Sequence, residues 1–158
     1  MWIGVISDTN GTLGTSALDI FEGVDYILHC GNIGNAEVLE ELSQVAPVSG
    51  VLGSSDVLEE YPFTKTLFKK WFDVGIFVTH RLGDPTHLPR NMVEEIDRLD
   101  PQVVLFGQAR GPFNTRVEGR LFFNPGPAGP KRSRHPRSVG ILEIDGRLVR
   151  GEVVPLDR

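Results

Sequence analysis

The 158 residues contain a single cysteine, Cys30, so no internal disulfide is available and the fold must be held by burial. No apolar run approaches the roughly 20 residues that a membrane span requires. The opening Met1-Trp2-Ile3-Gly4-Val5 passes straight into a strand pattern, without the basic stretch and small-residue cleavage site of a secretory leader. Together with 40% hydrophobic and 23% charged residues, these absences lead to the expectation of a soluble cytoplasmic protein, one domain over residues 1–158, with no membrane association. A net positive charge is missing too. The formal net charge is -5, which argues against nonspecific binding to duplex nucleic acid, since that calls for a broad basic face. The acidity is uneven: residues 1–100 carry 6 Lys or Arg against 16 Asp or Glu, and residues 101–158 carry 10 against 5. Part of the basic surplus falls in Lys131, Arg132, Arg134 and Arg137, with His135 among them, in a Pro- and Gly-rich stretch.

What is present is an alternation of strand and helix signals. Strand patterns at 2–7, 25–30 and 47–52 are separated by helix patterns near 15–22 and 35–44, as expected for parallel strands with right-handed crossovers. From Pro62 the texture becomes β-rich: 63–72 and 75–79 flank Asp73-Val74, a connection suited to a hairpin. A helix follows, with Pro89 in its first turn and Met92, Ile96 and Leu99 at helical spacing, until Asp100-Pro101 stops it. Strand patterns at 103–106, 112–117, 121–124, 138–144 and 147–154 complete the chain, with turns at Glu118-Gly119 and Asp145-Gly146. Two mixed sheets flanked by helices, an α/β fold in four layers α/β/β/α, accommodate parallel strands early and hairpins late.

Five segments carry the chemistry: Ser7-Asp8-Thr9-Asn10-Gly11, Gly31-Asn32, Gly53-Ser54-Ser55-Asp56, Thr79-His80 and Gly107-Gln108-Ala109-Arg110. Each follows a run of apolar residues and so falls at the carboxyl end of a strand, where open α/β sheets build their sites. The glycines 11, 31, 53 and 107, and Gly126 later, are read as backbone devices for tight turns, which support the fold whether or not chemistry remains.

In order and spacing these segments, with Phe123-Asn124-Pro125-Gly126, resemble the small calcineurin-like metallophosphoesterases. That family includes short archaeal and bacterial phosphodiesterases and the retromer's small phosphoesterase-like subunit, and the resemblance runs from Ile3 to about Leu142. In it the segments typically read Asp-x-His, Gly-Asp, Gly-Asn-x-Asp, Thr-His-Gly, Gly-His-x-His and Asn-Pro-Gly-Ser. They hold two divalent cations, about 3.5 to 4 Å apart, that activate a hydroxide and stabilise phosphoryl oxygens.

Carried over residue by residue, the resemblance places the metal-ligand positions at Asp8, Asn10, Asn32, Ser54, His80, Gln108 and Arg110. Only Asp8 and His80 are the expected strong donors. Asn32 stands where a bridging aspartate belongs, and a neutral amide is a poor bridge between two dications. Asn10 and Gln108 replace histidines with weak neutral donors, Ser54 replaces an asparagine, and Arg110 is a permanent cation that cannot ligate. Arg81 and Pro127 replace a glycine and a serine of the neighbouring loops.

Each residue has a plainer use. Asp8 either accepts backbone N–H groups in its turn or pairs with Arg110, whose guanidinium would take the place of one metal. His80 is a surviving ligand, a phosphate donor or a hydrogen-bonded histidine at a strand end. His29 is read as structural, His87 as a capping or solvent residue, and Cys30 as a small buried side chain. Asp56 either orients a neighbour or, in an active enzyme, joins Asp8 and His80 in catalysis. The basic loop is either solvated or brings Arg132 or Arg134 beside Arg81 and Arg110 to bind a phosphate.

Two readings follow. In the leading one, a metallophosphoesterase fold with an eroded site, without a tightly bound cofactor, binds a phosphate-containing small molecule or a protein partner; the retromer subunit is the precedent for a scaffold role. The alternative is an active phosphodiesterase that holds weakly bound divalent metal, such as manganese, through Asp8, Asn10, Asn32, His80 and Gln108.

Overall fold

The computed structural model describes residues 1–108, 111–130 and 136–156. Alternation along the first strand, β1 (Trp2–Ile6), sets the layering. Ile3 and Val5 face one way and Gly4 and Ile6 the other, and each face meets a different layer of the protein. The same chain reversal of faces recurs in β2 (Tyr26–His29) and β3 (Val48–Gly50), the latter only three residues long.

The remaining strands are β4 (Thr66–Trp71), β5 (Val74–Thr79), β6 (Val103–Phe106), β7 (Phe113–Val117), β8 (Arg120–Asn124), β9 (Ser138–Asp145) and β10 (Leu148–Pro155). They form two five-stranded sheets, in the orders β10-β9-β1-β2-β3 and β4-β5-β6-β8-β7. Both sheets are mixed. In the first, β1, β2 and β3 run parallel while β9 is antiparallel to β1 and β10; in the second, β5, β6 and β8 run parallel and the edge strands β4 and β7 are antiparallel.

Three apolar layers hold these sheets in place. Between the sheets, Ile3, Val5 and Leu28 from one pack with Ile76, Val78, Leu105 and Phe123 from the other. On the outer face of the first sheet, Ile6 and Ile27 meet α1 (Thr15–Ile20) and α2 (Ala36–Ser43) through Ala17, Phe21, Val38 and Leu42. On the outer face of the second, Phe77, Val104 and Phe106 meet Ile96 of α3 (Arg90–Leu99). Gly4 is required where the Phe21 ring crosses β1, since a Cβ there would sit 2.8 Å from two ring carbons.

The sandwich is stitched along one flank, where the edge strands of the two sheets face each other. Asn114 of β7 donates its side-chain N–H to the Gly151 carbonyl of β10 at 2.8 Å, and the Arg116 guanidinium donates to Val149. On the opposite flank the chain passes from sheet to sheet, with Val51 bridging Thr64 in parallel and a 3-10 turn at Leu58–Glu60 between them.

The expected four-layer arrangement matches, with strand and helix ends differing by one or a few residues. Two turns are shifted: the β4–β5 turn is Phe72-Asp73, with Phe72 at a φ of 55°, and the β9–β10 turn is Gly146-Arg147. Pro89 precedes α3 as its cap rather than lying in the first turn; its extended ψ of 150° leaves its carbonyl to accept from Met92 and Val93. No helix among the described residues is long and apolar enough to cross a membrane.

Candidate functional site

The parallel strands of both sheets end at one rim. The loop after β1 carries Asp8, the loop after β2 carries Asn32, the one after β3 carries Ser54 and Asp56, the one after β5 carries His80 and Arg81, and that after β6 carries Gln108. The loops are tied by main-chain bonds: Asp8 N–H to Gly31, Asn10 N–H to Asn32 and Gly11 N–H to Ile33, at 2.9, 3.0 and 2.8 Å. The Asn124-Pro125-Gly126 loop closes from above, where Ala128 and Gly129 donate to the carbonyls of Ser7 and Asp8.

The backbone here is unusual. Asp8, Asn10, Asn32 and Gln108 all have positive φ, at 54°, 48°, 56° and 44°. For non-glycine residues this left-handed conformation costs on the order of 1 kcal/mol or more each, least for Asp and Asn, and it clusters at functional sites. Gly31, at a φ of 105°, lies so close to His80 that a Cβ would be 2.7 Å from the imidazole Nδ1.

Asp8 is the centre of the arrangement. Its Oδ2 accepts from the Ser7 hydroxyl at 2.7 Å and the Gln108 N–H at 3.3 Å, and its Oδ1 accepts from the Asn32 amide nitrogen at 3.0 Å. The Asn32 amide has a defined orientation, because its oxygen accepts from both the N–H and the hydroxyl of Ser55, at 3.2 and 2.8 Å. Its N–H therefore faces the carboxylate.

His80 is 3% exposed, and its Nδ1 lies 2.7 Å from the Cys30 carbonyl. A carbonyl only accepts, so Nδ1 carries a proton, and the neutral imidazole keeps its lone pair on Nε2. That Nε2 is buried without a hydrogen-bond partner among the described residues and lies 3.8 Å from Asp8 Oδ1.

Asp56 points away from this pair. One of its oxygens accepts from Asn32 and Gly53 N–H, both at 2.8 Å, and the other from Ile33 and Gly34 at 2.9 and 3.4 Å. Its carboxylate thus splices the second and third loops and positions Asn32. Asp56→Ala is expected to lower folding stability by about 2 to 4 kcal/mol, since each bond to a charged acceptor is worth about 1.5 kcal/mol or more and the donors nearest the surface recover part of this from water. Chemical denaturation checks this; an unchanged midpoint would remove Asp56 from this role.

The other candidates scatter. Asn10 bonds its own loop, donating to the Asp8 carbonyl at 3.3 Å, and Ser54 is exposed on the rim. Gln108 accepts from Arg81 Nε at 2.7 Å. His87 is exposed beside Asp84 and Thr86, three residues before α3. His29 is buried: its Nδ1 accepts from Gly31 N–H at 3.0 Å, so its Nε2–H donates to Thr9, whose hydroxyl donates to Ile33. Burial, with the nearby His80, lowers its pKa from 6.5 to about 3. Cys30 is buried, and burial followed by the Asp8 charge raises its thiol pKa far above the ordinary value, leaving it inert. Arg110, Arg132, Arg134 and His135 lie outside the described residues, and with them the expected pairing of Arg110 with Asp8.

Side chains from both sheets thus gather on strained loops at the ends of parallel strands, the construction of a two-metal phosphoester site. The calcineurin-like phosphoesterase superfamily domain matches residues 1–147, and the chain belongs to that family. It is 31% identical over 163 residues to a probable metallophosphoesterase of Methanothermobacter thermautotrophicus, covering 98% of this chain and 92% of that protein. Among solved structures, an archaeal phosphodiesterase superimposes with a TM-score of 0.77 at 24% identity, covering 98% of this chain and all of the other. Vps29 complexed with zinc, from Entamoeba histolytica, gives a TM-score of 0.78 at 21% identity, covering 99% of this chain and 100% of that one. At these identities the structural likeness speaks for the fold alone.

Enzymes of this family ordinarily use divalent metals. The donor set here does not fit a dinuclear centre: the bridging position presents the Asn32 N–H to Asp8 where a shared carboxylate is needed, and no group of three or more His, Cys, Asp or Glu suited to a metal occurs among the described residues.

Ser7 and Ser55 stand within the quoted segments without an assigned role, and Lys65 stands outside them. Ser7 directly precedes Asp8, and Ser55 lies inside the third motif, so both were within reach. Lys65 belongs to no motif.

Proposed function

We propose that this protein binds a phosphate-containing ligand at the rim of its parallel strands without two-metal hydrolysis. The observation that carries the reading is the Asn32 amide, held by Ser55 and donating to Asp8 Oδ1 at 3.0 Å. It satisfies the carboxylate internally with a neutral donor, so the site needs no dication to offset a cluster of acids. Arg81, oriented by Gln108, supplies a cation suited to phosphate, which arginine recognises without generating hydroxide.

A second reading has its own support. His80 holds its Nδ1 proton on a main-chain carbonyl and keeps Nε2 unpartnered among the described residues beside Asp8, the disposition of a metal-ligating histidine, and the relative named above is a probable metallophosphoesterase. This favours a single weakly held cation with residual phosphodiesterase activity.

Elemental analysis with manganese titration, run beside hydrolysis of an aryl phosphodiester, separates the two. The expected result is substoichiometric metal and no turnover above background. Stoichiometric metal with turnover that disappears in Asp8→Ala and in His80→Ala would establish the second reading in place of the first.

A further inference from the structure

Residues 1–64 contain 10 Asp or Glu and not one Lys or Arg. They build α1, α2, β1 to β3 and the 3-10 turn, so one side of the protein comes from a stretch whose ionised side chains at neutral pH are all negative. A groove of about 320 Å³ lies on that side, between α2 and the segment that follows the 3-10 turn. Neither Asp8 nor Arg81 lines it, so it is separate from the strand-end rim.

The groove has an apolar floor and an acidic edge. Leu39 of α2, Val48 of β3 and Phe63 are half-buried: each packs partly on the core beneath α2 and leaves the rest of its surface in the groove, with Tyr61 beside them. Glu40 from α2 and Glu60 from the 3-10 turn stand exposed at its edge. Helical spacing accounts for one wall, since Ala36, Glu40 and Ser43 share a stripe of α2 while Val38 and Leu42 turn inward. No ion pair among the described residues uses Glu37, Glu40, Glu41, Glu59 or Glu60. Lys65, the first basic residue of the chain, lines a different cleft with Thr66 and Arg81. The negative field reaches Tyr61, whose hydroxyl is held above its ordinary pKa by burial, then by Asp56 and Glu60.

Charge selects the occupant. A second copy meeting this face through a two-fold axis would set one all-acidic surface against another, in a chain of net charge -5. Nucleic acid is repelled for the same reason. A basic segment gains where these lose: attraction to the edge raises its encounter rate, and an apolar side chain on the floor supplies affinity. The volume, at the low end of the about 300 to 1,000 Å³ of ligand pockets, suits one bulky side chain.

We infer that this groove docks a basic segment of a protein partner, with a bulky aliphatic or aromatic side chain seated on Leu39, Val48 and Phe63 and flanking Lys or Arg residues meeting Glu40 and Glu60. The phosphate reading above concerns another face and neither supports nor limits this one.

Selection of random dodecapeptides displayed on phage tests it, run on the immobilised full chain and, in parallel, on Ala36→Trp. Ala36 is exposed at the start of α2, so an indole there enters the groove without displacing the core. Enriched peptides that the variant does not retain are synthesised with a fluorophore and titrated by anisotropy. They are expected to carry Lys or Arg on both sides of a Leu, Ile, Met, Phe or Trp. Replacing that anchor in the peptide by Ser should weaken binding about tenfold or more, the worth of one buried apolar side chain. Glu40→Lys/Glu60→Lys should weaken it about fivefold or more, since two attractions become repulsions. Raising salt from about 0.05 to about 0.5 M should weaken it as well. Selected peptides that are acidic or wholly polar, anchor-independent binding, or equal affinity for the parent and Glu40→Lys/Glu60→Lys would each overturn the inference, as would the absence of any enriched peptide. Self-association of the parent in sedimentation velocity that Ala36→Trp abolishes would assign the groove to a second copy and overturn it too. Should Ala36→Trp fail to fold, Glu40→Lys/Glu60→Lys, altered only at exposed side chains, takes its place in the selection.

Discussion

Asn32→Asp is expected to give a protein whose stability depends on a divalent cation, whereas that of the parent is expected not to. In the present chain the Asn32 nitrogen donates to Asp8 Oδ1 at 3.0 Å. An aspartate at that position would bring two carboxylates to about hydrogen-bonding distance, and such pairs cannot both ionise without raising one pKa by several units. At about 1.4 kcal/mol per unit, the EDTA-treated variant should lose about 2 to 4 kcal/mol at neutral pH. Manganese at about 100 times its dissociation constant would return about 2.7 kcal/mol by binding the folded state. Thermal melts with EDTA and with millimolar manganese chloride measure this directly. The parent should melt alike in both, and the variant should melt lower in EDTA and recover with metal. A parent melting point that shifts with manganese, or a variant that ignores it, would count against the Asn32–Asp8 bond as the replacement for a metal. Adding Asn10→His, Ser54→Asn, Gln108→His and Arg110→His is expected to bring phosphodiester turnover as well, since the left-handed backbone at Asn10, Asn32 and Gln108 is already in place.

Mild acid should destabilise the protein through His29. Burial, then the neighbouring His80, places its folded pKa at about 3, against an ordinary 6.5. The unfolded chain therefore takes up the proton first as pH falls, so the stability tied to neutral His29 is complete above about pH 6.5 and is lost progressively toward about pH 3. The slope is at most about 1.4 kcal/mol per pH unit, or about 2 to 3 kcal/mol between pH 6.5 and 4.5. Urea titrations across that window should show the loss in the parent and a flatter profile in His29→Gln, which keeps hydrogen-bonding capacity but does not titrate. Parallel profiles would show that His29 contributes no such term.

Much of the arrangement was legible from the sequence because it rests on local causes. Each motif follows an apolar run, so the positions of Asp8, Asn32, His80 and Gln108 at strand ends could be read directly, and the mixed sheets followed from the early strand–helix alternation and the later hairpins. Turn register was harder. Phe72 occupies a left-handed position where glycine or asparagine would be looked for, and the β4–β5 turn accordingly falls one residue before the expected place. The way Asn32 faces Asp8 was beyond a sequence reading, since it depends on Ser55 donors from another loop. Asp56 was readable as an orienting residue, but not as the acceptor for N–H groups of two loops. Lys65 became visible only when β4 was seen to start beside the end of β3.

The side-chain bonds from Asn114 and Arg116 of β7 to the carbonyls of β10 bear on how copies of this protein meet in a crowded solution. A foreign strand adds to a sheet by finding unclaimed main-chain acceptors along an edge. On this flank the acceptors at Gly151 and Val149 are already claimed from within the same molecule. The other two borders are β3, only three residues long, and β4, which carries Lys69 and Lys70. Short length and lysine are both deterrents to strand addition, so runaway polymerisation through the sheets is opposed at the borders while the loop rim at the strand ends stays open.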